Sequence, residues 1–270
     1  MTTRPLAKIA LFFGFTAVAL LVYLFLLSAL RGRLGDFSAA VPAMVIAALT
    51  LILNWRFLRS EGRSLADLGF DNARLRIREI GLGFAGGALV AGAWASALAS
   101  VTSVSWRAAP QFNPVSAAAS FAFIVFNNAG EELVYRGYVF LVTARLYGRG
   151  VAIAGTSILF ALMHIQGGIP WQSVVAGVLT SGLLFAVLFD RWQSVPLVLA
   201  FHAATNVVQE LLGLRLSGLT IVVPQYATNP TAAPSYGVLA FVALINLTAA
   251  LAVWLPIRNR RRAGNLRSAR

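Results

Sequence analysis

Few side chains in this 270-residue chain are able to do acid–base chemistry within its apolar runs. Glu131 and Glu132 stand side by side in Ala129-Gly-Glu-Glu-Leu-Val-Tyr-Arg-Gly137, and Arg136 follows about one helical turn later. The residues before and after this stretch are apolar enough to sit in lipid. The chain's two histidines, His164 and His202, fall in other apolar runs. Asn206 is four residues after His202, so the two share a helix face. An ionisable group at bilayer depth costs roughly 2.5–3.5 kcal/mol on insertion scales, which makes a functional site the default reading. Three chemistries use such a set. One is hydrolysis by an activated water. The second is a metal centre with His164, His202 and Glu131 as ligands. The third is a proton relay in a transporter.

These residues must be held by helices in a membrane. Hydrophobic residues make up 59% of the chain and charged ones 11%, against about 25% charged in soluble domains. The expected fold is all-α: a polytopic transmembrane helix bundle of about eight spans, forming one domain over residues 1–270. The absence of cysteine removes thiolate nucleophiles, Cys-type metal sites and disulfides. The net charge of +13 does not indicate a nucleic-acid partner, because the basic residues flank apolar runs, where they orient the chain and meet anionic lipid.

Spans need about 20 apolar residues. They are read at Ile9–Leu30, Ala39–Leu58, Ile80–Val101, Val115–Leu141, Val151–Ile165, Trp171–Phe189, Val195–Leu212 and Tyr236–Ile257. The first is longer than a signal peptide's apolar core and is taken as a helix, not a cleaved leader. The stretch Arg59–Glu79 reads as a surface segment. Loops are expected over Thr102–Pro114 and around Pro224, Pro230 and Pro234, and residues 258–270 form a basic tail. With both termini in the cytoplasm, 18 of the 22 Arg and Lys residues fall on the inner side. Gly83 and Gly87 form a small-xxx-small pair, read as general close packing and not as a dimer interface.

Counted from the inner helix ends, Glu131 is roughly 15 Å deep, His164 roughly 20 Å and His202 roughly 10 Å. The three are therefore expected to meet near the middle of the membrane. Arg136 is expected to pair with Glu132, which leaves Glu131 free to exchange protons. Phe160 lies one turn before His164 and stacks on it or fills the core. Asn127 and Asn128 are expected to bond between helices. Glu210 continues the His202–Asn206 stripe but lies near a helix end and is expected to face water.

Three motifs in this order resemble a known family. Glu131-Glu-Leu-Val-Tyr-Arg136 fits EExxxR, Phe160-Ala-Leu-Met-His164 fits FxxxH, and His202-Ala-Ala-Thr-Asn206 fits HxxxN. The chain resembles the CPBP intramembrane endopeptidases, named for CAAX prenyl proteases and bacteriocin-processing enzymes and also called Abi proteins. The resemblance covers a core of about residues 115–212. It implies a peptidase in which Glu131 activates water with help from His164. His202 and Asn206 would stabilise the oxyanion, and Glu132 and Arg136 would support the site. The HExxH zinc spacing is absent, so a site without a cofactor is favoured, with a divalent metal such as zinc as the alternative. The implied partners are membrane lipid and a peptide or protein substrate. Prenylated C-termini, processed peptides and membrane-anchored regulators are the expected substrate classes. The Arg-rich, Lys-poor chain points to a bacterial cytoplasmic membrane. A transporter would instead spread its charges along a path, and a non-catalytic immunity or scaffold protein would have lost a motif.

Overall fold

The structure is a computed structural model that describes residues 3–71, 73–165, 167–226 and 236–268. Side chains are described for residues 5–71, 76–165, 167–226 and 236–255. The loop carrying Pro230 and Pro234 lies outside the described residues, as do the side chains of the basic tail.

The chain forms α1 (Thr3–Leu30), α2 (Ala40–Arg59), α3 (Ala73–Val101), α4 (Pro114–Tyr135) and α5 (Tyr138–Tyr147). It continues through α6 (Arg149–Ile165), α7 (Trp171–Trp192), α8 (Val195–Leu211) and α9 (Tyr236–Ser268). Among the described residues α1, α2, α3, α7 and α9 contain windows long and apolar enough to cross a membrane. α6 and α8 are shorter apolar helices of 17 residues. Among the described residues the bundle is all-α apart from one antiparallel ribbon, β1 (Val104–Ala108) with β2 (Val222–Tyr226). That ribbon occupies two segments expected as loops. Pro224 sits in β2 opposite Trp106.

Local sequence sets the starts of the two helices that matter most. Asn113 caps α4 by accepting from the amides of Val115 and Ser116, and Pro114 fills the first helical position. Ser194 caps α8 by accepting from the Leu197 amide.

Packing brings these helices together. α2 lies along α4, and α3 along α8. Gly83 and Gly87 make the second contact possible. A Cβ on Gly83 would lie 2.2 Å from the Leu197 carbonyl oxygen, and one on Gly87 would lie 2.1 Å from that of Phe201. The small-residue pair thus works within the chain, seating the helix that carries His202. The first half of α5, Tyr138 to Val142, is apolar and buried, as a helix segment inside a core must be. Around it gather Phe12, Leu58, Leu68, Leu184, Phe185 and Phe189.

The span expected over Val115–Leu141 is not one helix. It stops at Tyr135, and a new helix starts at Tyr138. Asn54 of α2 holds this break. Its amide donates to the Leu133 carbonyl at 2.9 Å and accepts from the Tyr138 N–H at 2.7 Å. These are backbone groups that a continuous helix would have satisfied itself. Gly137 is required here, because a Cβ would lie 2.0 Å from the Asn54 side-chain oxygen. Asn54 is fully buried. Replacing it with alanine should strand both backbone groups, at about 1–3 kcal/mol for each group left unpaired. Unfolding in detergent checks this, and a wild-type unfolding midpoint would contradict it.

Beyond the break, Tyr138 donates its hydroxyl to Glu61 in the turn after α2 at 2.8 Å. Arg145 also bonds Glu61, and Lys8 of α1 lies 3.6 Å from it. Burial pulls the Glu61 carboxyl upward. The bonds from Arg145 and Tyr138 and the charges of Arg145 and Lys8 outweigh it, holding the group below its ordinary value.

Candidate active site

The acid pair is split by the helix surface. Glu132 and Arg136, one turn apart on α4, are fully buried, whereas Glu131 is partly exposed to a cavity. Arg136 pairs with Glu132 at 3.4 Å, as its spacing predicts. Its second terminal nitrogen donates to the Gly182 carbonyl of α7 at 2.9 Å. The guanidinium also lies over the Phe160 ring, 4.8 Å from its centre.

Glu132 does more than balance Arg136. Its Oε1 lies 2.8 Å from Nδ1 of His202 on α8. One turn away on the same two helices, the Asn206 amide donates to Oδ1 of Asn128 at 3.1 Å. α4 and α8 therefore meet through two rungs, Glu132 with His202 and Asn128 with Asn206. Asn128 is buried and bonds between helices as expected, with Asn206 as a partner that the sequence does not specify. The available signal was spacing: Asn128–Glu132 repeats the four-residue step of His202–Asn206 in the opposite helix.

His202 Nδ1 faces an acceptor, so its Nε2 is left to point elsewhere. That atom lies 3.9 Å from Oε2 of Glu131. The other oxygen of Glu131, Oε1, accepts from the Asn127 amide at 2.8 Å. Asn127 therefore bonds within its own helix, not between helices. His164 sits at the end of α6, with Nδ1 2.8 Å from the Phe160 carbonyl. A carbonyl only accepts, so Nδ1 carries the proton, and Nε2 is a lone pair in the neutral ring.

Phe160 links the parts. Its buried ring is centred 4.5 Å from the His164 ring and 6.0 Å from the His202 ring. Tyr135 meets it edge-on at 5.3 Å. One aromatic thus packs against both imidazoles and under the arginine.

Glu131 and His164 line one cavity of about 260 Å³. α1 supplies Thr16, Leu20 and Tyr23 to its wall, and α4 supplies Asn127 and Tyr135. His202 and Asn206 stand behind Glu131 and are not part of that wall.

Glu210 departs from the expectation that it faces water. It is buried, and its Oε2 has no hydrogen-bond partner among the described residues. The reason is the β1–β2 ribbon, which folds over the end of α8. Trp106 of β1 donates to the Leu212 carbonyl, and β2 lies against Gly213.

A zinc ion would need three donors converging on one point about 2.0–2.1 Å from each. Among the described residues no three His, Cys, Asp or Glu side chains form such a group. As arranged here, Glu131, His164 and His202 do not converge on one such point.

Residues 113–208 match the family model described as type II CAAX prenyl endopeptidase Rce1-like. The matched segment contains Glu131, Glu132, Arg136, His164, His202 and Asn206. No curated protein and no solved structure matches the chain. The long apolar helices and the family match support an integral membrane protein, and the matched segment is similar to a protease family.

Proposed function

We propose that the chain, whose residues 113–208 match the Rce1-like model of type II CAAX prenyl endopeptidases, hydrolyses a peptide bond within the membrane using a water activated by Glu131. The observation that carries this reading is the cavity shared by Glu131 and His164, with His202 directed at Glu131 from behind.

In this mechanism a water sits within hydrogen-bond reach of Glu131 Oε2 and His202 Nε2, whose 3.9 Å separation allows one molecule to touch both. Asn127 holds Oε1, so the carboxylate cannot turn away. As the water oxygen bonds to the scissile carbonyl carbon, Glu131 takes a water proton. It returns that proton to the amine as the C–N bond breaks. His164, oriented by its bond to the Phe160 carbonyl, assists from the cavity wall through Nε2. His202, held by Glu132 at Nδ1, is placed to stabilise the developing oxyanion. Asn206 spends one amide hydrogen on Asn128 and offers the second to the same oxyanion. Arg136 offsets the charge of Glu132, so that Glu132 can orient His202 without pairing with a proton from the site.

No step passes through a metal, a reading supported by the donor spacing. A peptide or membrane-embedded protein segment is the substrate.

The test compares wild type with Glu131→Gln in membranes, reading products by mass spectrometry before and after exhaustive chelation. Glutamine keeps the shape and can still accept from Asn127, but it cannot take the proton. The expected loss is about a hundredfold to ten-thousandfold, the range that general-base catalysis contributes. Chelated wild type should keep its activity. Identical product sets from the two proteins would sink the protease reading, and loss on chelation would sink its metal-free form.

A further inference from the structure

The cavity has a second wall that the motifs do not supply. It is built by α1, outside the segment that matches the family. Thr16, Leu20 and Tyr23 recur at helical spacing, so one face of α1 looks into the cavity. That face carries two hydroxyls. Thr16 donates its own to the Phe12 carbonyl at 2.9 Å. Tyr23 has no hydrogen bond to any described residue. Its neighbours Leu21 and Phe25 are 66% and 70% exposed on the lipid side, whereas Tyr23 is half-buried against the cavity.

The level of Tyr23 follows from a contact lower in the bundle. Phe12 packs on Tyr138 with ring centres 5.6 Å apart, which sets α1 and the α4–α5 segment level at that point. At about 1.5 Å per residue, Tyr23 is about 16 Å further along α1, and Glu131 lies back across the α4–α5 break by no more than about 10 Å. Side chains of a helix lean toward its N-terminus. The Tyr23 phenol therefore leans back by about one turn, toward the level of Glu131. That hydroxyl is open to the cavity and available to a bound partner.

We propose that Tyr23 is a substrate-binding residue whose hydroxyl donates a hydrogen bond to a backbone carbonyl of the peptide. The peptide lies between α1 and α4 with its scissile carbonyl turned to Glu131. The partner is any peptide backbone, not a particular side chain, because the rest of the α1 face offers no free donor: Leu20 is apolar and Thr16 spends its hydroxyl hydrogen on the Phe12 carbonyl. This inference rests on the peptidase reading of the Glu131 cavity.

The test uses full-length protein in detergent and a quenched fluorescent peptide carrying a cleavage site mapped in the membrane experiment. Tyr23→Phe keeps the ring and removes only the donor. A net hydrogen bond is worth about 0.5–1.5 kcal/mol, so KM should rise about three- to tenfold with kcat nearly unchanged. The unfolding midpoint should not move. Tyr23→Leu should show the same rise or more. If Tyr23→Phe matches wild type while Tyr23→Leu is impaired, the ring is packing alone and the proposal fails. If both match wild type, it fails as well. Glu131→Gln, run beside them, separates the two levels: an active Glu131→Gln overturns the peptidase reading, whatever the tyrosine variants do.

Discussion

Replacing Arg136 with methionine should cost about 3–5 kcal/mol of stability, because it leaves the carboxylate of Glu132 buried without its cation. Both side chains are fully buried, and the pair is 3.4 Å apart. The arginine is also the donor to the Gly182 carbonyl and the cation over Phe160. Its loss therefore frees α7 and an aromatic ring together with the acid. Unfolding of the purified variant in detergent reads the effect. The double variant Glu132→Gln/Arg136→Met should recover a large part of the stability, since the uncompensated charge is gone. It should stay inactive, because His202 no longer meets a carboxylate at Nδ1. A single Arg136→Met protein as stable as wild type would refute the account. So would a double variant with full activity.

Replacing Gly87 with valine should remove at least about 99% of the activity, since a displacement near 1 Å in a catalytic array can cost a hundredfold. The new Cβ would lie 2.1 Å from the Phe201 carbonyl oxygen and 2.9 Å from its carbon. These are backbone atoms, so α3 and α8 must move apart. His202 is the next residue in α8 and moves with it, changing both its contact to Glu132 and its approach to Glu131. Overpacking of this kind also costs about 1–3 kcal/mol in stability. Gly92 is the control: a Cβ there meets nothing within 4 Å, so Gly92→Ala should leave rate and stability near wild type. Peptide cleavage and thermal unfolding, measured on both variants, check the pair of outcomes. Equal effects from Gly87 and Gly92 would remove the close contact as the cause.

Spacing alone identified the residues of the candidate site, because few polar groups lie in apolar helices and each one stands out. It also assigned Arg136 to Glu132, which one helical turn brings together. The four-residue step between His202 and Asn206 placed both on one face of α8. It did not say what that face meets. Asn128 and Glu132 became the partners only when α4 lay antiparallel to α8.

The errors have the same origin. Nothing in the apolar run Val115–Leu141 marks a break strongly, since Gly137 is common enough in membrane helices. The break depends on Asn54, more than 75 residues away in sequence, meeting both exposed backbone groups. Glu210 looked like a helix-end acid in water until the β1–β2 ribbon closed over it.

Residue type, hydropathy and helical period are local properties, and from them the sequence by itself determined an all-α membrane bundle with its acids, histidines and arginine at depth. Which carboxylate faces the cavity, which one orients His202, and which wall Tyr23 completes depend on how close helices approach and on their relative rotation. Those are set by contacts between distant segments, such as Gly87 against Phe201 and Asn54 against Leu133. Only the packed structure decided them, because a helix face specifies a direction and not the neighbour it will meet.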